Sequence, residues 1–182
     1  MRDTLTTLII VSFAYIISYS LTSGFVYPIQ TTLLPDVSEK TGLLFLPLGV
    51  RIIAVYYLGW KTILFLLPST YLMWFLSVYG NGLDLHIYQP VVSVIACYLG
   101  VKLTEFILFV RPSTVDLAAW KYLIFAGVIG SLFNGIGLTA LQHEIEFAWN
   151  VLGYVIGDVA GICASLLILM YVFRFMKYAA QD

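Results

Sequence analysis

Residues 148–173 form an unbroken apolar run of 26 residues with one charged side chain, Asp158. As a helix the run would rise about 39 Å, more than the ~30 Å hydrocarbon core of a bilayer. Within it, Gly153, Gly157, Gly161 and Ser165 recur at every fourth position. Residues four apart share one face of a helix, and side chains this small let another backbone come close. Asp158 stands ten residues past Ala148, which puts a carboxylate deep in the same helix. A small-residue stripe with an acid in it, inside a membrane-length helix, requires other protein to cover that face.

The remaining chain agrees with a bilayer as solvent. Charged residues make up only 10% and hydrophobic residues 61%, with a mean hydropathy of +0.96. Soluble domains average roughly a quarter charged residues, so this chain has too few polar groups to cover a water-facing surface. A net charge of −1 offers no basic face to release counterions from phosphates, which excludes nucleic acid as a partner. Cys97 and Cys163 both lie in apolar runs and read as small hydrophobic fillers rather than a disulfide or metal ligands.

Apolar runs and turn signals predict an all-α polytopic membrane protein in one domain, 1–182. Six helices are expected, at about 5–22, 43–58, 62–79, 88–110, 122–141 and 148–173. The first run follows Arg2 closely, yet its 18 residues suit a retained span better than a signal sequence. Its hydroxyl groups and tyrosines (Tyr15 and Tyr19) suit a helix that faces protein. Residues 24–42, with Pro28, Pro35, Asp36, Glu39 and Lys40, read as a surface loop whose middle, 29–34, is apolar enough for the interface. Pro47 and Pro68 predict kinks in the second and third spans, where each removes a backbone donor. Asn81-Gly82 marks a turn, and Arg111-Pro112 breaks the fourth span. Trp120 and Tyr122 suit interface anchors for the fifth. That span carries its own small-residue stripe, Gly127, Ser131 and Gly135, as the expected seat of the stripe on the sixth.

Six spans place both termini on one side, and the basic residues then sort. Arg2, Lys61, Arg111, Lys121, Arg174 and Lys177 fall on that side, with Lys40 opposite. By the positive-inside rule both termini are cytoplasmic.

Four ionisable groups stand inside the spans: Arg51, Lys102, Glu105 and Asp158. A charge at a lipid-exposed helix centre costs at least ~2.5–3.5 kcal/mol, so these must face the bundle interior and find partners. Lys102 and Glu105, three apart near a helix end, form a local structural ion pair. Arg51 and Asp158 both sit roughly 12–15 Å into helices that enter from the outer face. Equal depth and opposite sign predict either a buried salt bridge that fixes helix arrangement or a shared polar cavity that takes a ligand or ion. Asn134, Tyr154 and Tyr56 are expected nearby.

Catalytic and cofactor signals are sparse. His86 lies in a loop, and His143, Glu144 and Glu146 have a spacing that matches no helical pair of metal ligands. Nucleophile-elbow, phosphate-loop and zinc-helix patterns do not occur. The chain is expected to be no enzyme and to use no cofactor or metal.

Two stretches carry a family resemblance. Phe45-Leu46-Pro47-Leu48-Gly49, continuing to Gly59-Trp60-Lys61, resembles the start of an early helix in bacterial membrane-associated sensor (MASE-type) domains. Gly157-Asp158-Val159-Ala160-Gly161 is similar to the G-D-x-x-G of a late helix in the same family. Phe45 stands where the family has tryptophan, and Leu48 where it has a second proline. The family has more helices and is often fused to an output domain. The resemblance therefore implies a stand-alone, shortened input module of the inner membrane, with partners in the bilayer or a small ligand at Arg51, Asp158 and Asn134. Two other readings stay open: an accessory subunit of a larger membrane complex, and the substrate-capture component of a small-molecule importer.

Overall fold

A computed structural model describes residues 2–33, 42–109, 119–142 and 147–179, and their regular structure is entirely helical. Lys40, Arg111, His143, Glu144 and Glu146 lie outside the described residues. The helices are α1 (Arg2–Leu21), α2 (Tyr27–Leu33), α3 (Leu46–Leu58), α4 (Lys61–Asn81), α5 (Gln89–Leu108), α6 (Ala119–Gln142) and α7 (Phe147–Ala179). Five helical stretches among them are long and apolar enough to cross a membrane: Thr4–Leu33, Lys61–Gly80, Gln89–Leu108, Ala119–Gln142 and Phe147–Ala179.

The first part of the expected loop, residues 24–33, is helix instead, while residues 34–41 lie outside the described residues. α1 runs into α2 through one widened turn, Thr22–Val26, in which the Tyr27 N–H reaches back five residues to the Thr22 carbonyl. The cause is Pro28, which follows directly. It has no N–H, and its ring would clash with the carbonyl four residues earlier, so the helix widens rather than stops.

α3 also departs from expectation. Pro47 stands in its first turn, where a missing N–H costs nothing, so the proline starts the helix rather than kinking it. Pro68 does lie inside α4. With 13 residues α3 rises only about 20 Å. Residues 42–45 lead into it without regular helix. Gly59, at φ 61° and ψ −135°, adopts a conformation that favours glycine and turns the chain directly into α4.

α3 is the hub. Nine of its residues are buried, and it packs against α1, α4, α5, α6 and α7. Those five form an arc in the order α1, α4, α5, α6, α7, and among the described residues no comparable packing joins α1 to α7. Leu48, Ile52 and Val55 of α3 meet Cys97 and Val101 of α5, Ala126 of α6 and Ile162 of α7 in the main core cluster. Lipid is as apolar as this core, so close fit rather than escape from water holds the helices together. Gly100 and Gly130 meet backbone to backbone at the α5–α6 crossing, where any Cβ on Gly100 would collide with Gly130.

The glycine stripe of α7 has a partner other than the one expected. A Cβ on Gly157 would strike the carbonyl oxygen of Gly42, and one on Gly161 that of Phe45; one on Gly49 would strike Ser165. The stripe thus receives residues 42–49, not the stripe of α6. Hydrogen bonds fix the contact: the Phe45 N–H donates to the Gly157 carbonyl at 2.9 Å, and Ser165 Oγ to the Leu46 carbonyl at 3.1 Å. On α6, Gly127 is covered by Ile162 and Gly135 by Val151 and Tyr154, while Ser131 is fully buried. Gly153 is half-buried. α6 and α7 do pack together, with Gly127 against the Ile162 side chain and Gly135 against the Val151 backbone and Tyr154.

Candidate functional site

Polar residues of α1 and of the widened turn that follows it share one face. Tyr15, Ser18 and Thr22 are buried, while Ile10, Phe13, Ile17 and Leu21 point outward. This inverts the pattern of a soluble amphipathic helix, as expected where the surroundings are lipid and the interior is polar. Four other helices bring pairs of residues four apart to the same place: Thr70 and Trp74 of α4, Gln89 and Ser93 of α5, Asn134 and Leu138 of α6, Tyr154 and Asp158 of α7. With Tyr15 and Tyr19 of α1 and Arg51 of α3 they line one cavity of about 90 Å³. Tyr27 of α2, Gly42 and Phe45 of the irregular lead, Leu83 and Leu85 of the α4–α5 connection and Pro90 of α5 complete it. The Trp74 indole N–H holds that connection in place by donating to the Leu85 carbonyl at 3.2 Å.

Arg51 is 4% exposed and Asp158 2% exposed. Both line the cavity, yet among the described residues no ion pair joins them. Arg51 Nη2 donates to the Tyr15 hydroxyl at 2.6 Å. Its guanidinium carbon lies 5.1 Å from the Tyr15 ring centre and 5.6 Å from that of Phe45, within range of cation–π attraction. Arg51 Nε is buried and has no hydrogen-bond partner.

Asp158 is held from another direction. Asn134 Nδ2 donates to Asp158 Oδ2 at 3.0 Å, and Ser93 Oγ donates to Asn134 Oδ1 at 2.8 Å. These partners fix the orientation of the amide, whose NH₂ must face the carboxylate. Gln89 Oε1, in the same wall, is buried without a donor. Tyr19 shares a 2.7 Å hydrogen bond with Ser77 Oγ. The Ser77 proton goes to the Met73 carbonyl, so Tyr19 is the donor. The cavity wall therefore carries a cation and an anion, each ending on a neutral residue, with a spare donor on one and a spare acceptor beside the other.

Arg51, Asp158, Asn134 and Tyr154 all come together here, whereas Tyr56 does not. Five residues beyond Arg51, it lies on another side of α3 and stacks at 5.5 Å on Tyr122. Lys102 and Glu105 form a separate, outward-facing pair at 2.6 Å. The sequence motifs around Phe45, Pro47 and Gly49 and around Gly157, Asp158 and Gly161 prove to be two sides of one contact, which supports the cavity from below. Tyr15, Tyr19, Trp74, Gln89 and Ser93 carry no charge that marks them in the sequence as site residues. Their signal was the recurrence of polar or aromatic residues four apart inside apolar runs.

A wall of this kind can hold and orient a charged solute. Among the described residues no three metal-ligating side chains gather. Comparison with models of known families, with curated proteins and with solved structures finds no match to this chain.

Proposed function

We propose that this chain is a non-enzymatic, six-span protein of the bacterial inner membrane that binds a small polar ligand in its central cavity, as a sensor-like module. One observation carries the reading: Arg51 and Asp158, two buried opposite charges, line a single cavity without bridging each other. A purely structural pair would close on itself, since separate burial of each charge costs several kcal/mol per ion. In this reading α3 with its irregular lead is the second span, and both termini are cytoplasmic, as the sorting of basic residues implies. Irregular backbone at membrane depth is tolerated where it is buried in protein or lines a cavity, and Gly42 and Phe45 do line this one. Kinship with the MASE-type sensor domains is part of the proposal, and the two motifs that suggest it form the contact behind the cavity.

The test is purification in a mild detergent followed by native mass spectrometry and extraction of bound solutes. The wild-type protein is expected to carry a small polar molecule that Arg51→Gln and Asp158→Asn lose. An empty wild-type protein whose melting temperature responds to no added solute would refute ligand binding.

A second reading, an accessory subunit, draws on the gap in the arc. Between α1 and α7 an apolar groove of about 390 Å³ is walled by Ile10, Ile17 and Ile168 and floored by Val50 and Ile53 of α3. A transmembrane helix of a partner would fit there. Stoichiometric co-purification of such a partner, lost when Ile10 and Ile17 are enlarged to Trp, would support it.

A further inference from the structure

We propose that the solute this cavity takes is a small amino acid in its zwitterionic form, its carboxylate on Arg51 and its ammonium group toward Asp158 and Gln89. This rests on the ligand-binding reading above and narrows it to a chemical class.

Charge comes first. In a low-dielectric interior a solute with one charge answers one wall and is repelled by the other, and a neutral solute leaves both walls uncompensated. A zwitterion alone satisfies both and adds no net charge to the membrane interior. The geometry fits this division. Arg51 spends one Nη2 donor on Tyr15 and keeps Nε without a partner. A guanidinium can present an edge of two parallel N–H groups, which matches the two oxygens of a carboxylate. On the other wall Asp158 receives the Asn134 amide at Oδ2, and no protein donor reaches Oδ1 among the described residues. Gln89 Oε1 is a second acceptor without a donor. Two acceptors of this kind call for a group with several N–H donors. A primary ammonium supplies three, and a quaternary one supplies none. Tyr19, Trp74 and Tyr154 line the same cavity, and aromatic rings attract a cation that lies over their faces.

Size restricts the class further. One water needs roughly 10–15 Å³ of such cavity volume, so about 90 Å³ has room for some six to nine water-sized atoms. Alanine, serine, proline and valine fall in that range, whereas a nucleotide, a sugar phosphate or a long peptide does not.

The experiment is binding to the full chain in detergent, by thermal shift and calorimetry, with each of the standard amino acids at millimolar concentration. The decisive comparisons are L-alanine against L-lactate, which lacks the ammonium, and against L-alaninamide, which lacks the carboxylate. At least one small amino acid is expected to bind, with its lactate-type and amide analogues weaker by roughly tenfold to a hundredfold, the worth of one charge-assisted contact. Arg51→Gln should abolish that preference over the amide, and Asp158→Asn that over the hydroxy acid. The comparison within the wild-type protein stands even where a variant does not fold. Equal binding of lactate or alaninamide would overturn the zwitterion and leave a ligand site. So would binding of no amino acid by a protein that nevertheless yields another bound solute on extraction. Binding of no amino acid by a protein that also yields no solute would overturn both readings.

Discussion

A guanidinium at membrane depth can be tolerated in three ways: by reaching the interface, by meeting a counter-ion, or by lining a wet cavity against neutral partners. Arg51 takes the third. It sits in the second turn of a short helix, shielded by the rings of Tyr15 and Phe45 and bonded to one phenol. Asp158 is tolerated in the same manner, through Asn134 and behind it Ser93. Such a relay predicts a ranking. Asn134→Leu keeps the number and branching of the side-chain heavy atoms but strips the partner from a buried carboxylate and from Ser93. It should cost about 1–3 kcal/mol or more, because the group left unsatisfied is charged. Ser93→Ala shortens the relay by one neutral bond and should cost about 0.5–1.5 kcal/mol. Thermal denaturation of both variants in one detergent gives the order directly, and equal or inverted costs would show that Asn134 does not sustain Asp158. At this scale the sequence was informative only where the cost of burial was high. Arg51 and Asp158 stood out because charges are expensive in lipid. Tyr15, Gln89 and Ser93 did not, because hydroxyl and amide groups are common in membrane helices and carry a much smaller penalty. The choice between a salt bridge and a shared cavity turned on a few ångströms that charge and depth do not specify.

At the scale of elements, the glycines of α7 and the irregular lead into α3 explain each other. Residues 42–45 have backbone groups outside regular helix, and these need a partner that can come within hydrogen-bond range. Gly157 and Gly161 provide that by having no side chain. Gly161→Ala should push the Phe45 carbonyl away and, with it, the start of α3 that carries Arg51. Overpacking of this type costs about 1–3 kcal/mol, and ligand binding should weaken together with stability. Gly24→Ala is the control: a Cβ there meets nothing within 4 Å. That change should be neutral or slightly stabilising, by up to about 1 kcal/mol. Melting temperatures of the two variants side by side check the pair, and a neutral Gly161→Ala would remove the close contact from the account. The stripe itself was plain in the sequence, but its partner was not. Recurrent small residues announce a close approach without saying what approaches, and the visitor, an irregular stretch of four residues, has no periodic signature. Pro28 misled for a related reason. A proline after an apolar run reads as a stop, yet one widened turn lets the first helix pass through it.

At the scale of the molecule, the number of crossings turns on α3, because the other apolar stretches, α1 continued through α2 and then α4, α5, α6 and α7, each have the length of a span. Its contacts along α7 run in parallel register: Gly42 at Gly157, Phe45 at Gly161, Gly49 at Ser165. Continued at the same pace, the end of α3 near Leu58 falls level with Arg174 of α7, and Lys61 follows in the next turn. The short helix and its lead thus run beside the C-terminal half of α7. That agrees with Lys61 and Arg174 belonging to one membrane face, the side the positive-inside rule makes cytoplasmic. The proposed topology is open to direct measurement in a bacterial host. Fusions of a fluorescent protein and of alkaline phosphatase to each terminus are expected to give fluorescence and no phosphatase activity at both ends. A phosphatase fusion after Gly82, in the α4–α5 connection beside the cavity, should be active. If the termini report opposite faces, the number of crossings is odd and α3 returns to the side it came from. If the Gly82 fusion is inactive, the cavity opens to the cytoplasm, and an amino acid would reach Arg51 from inside the cell rather than from the periplasm.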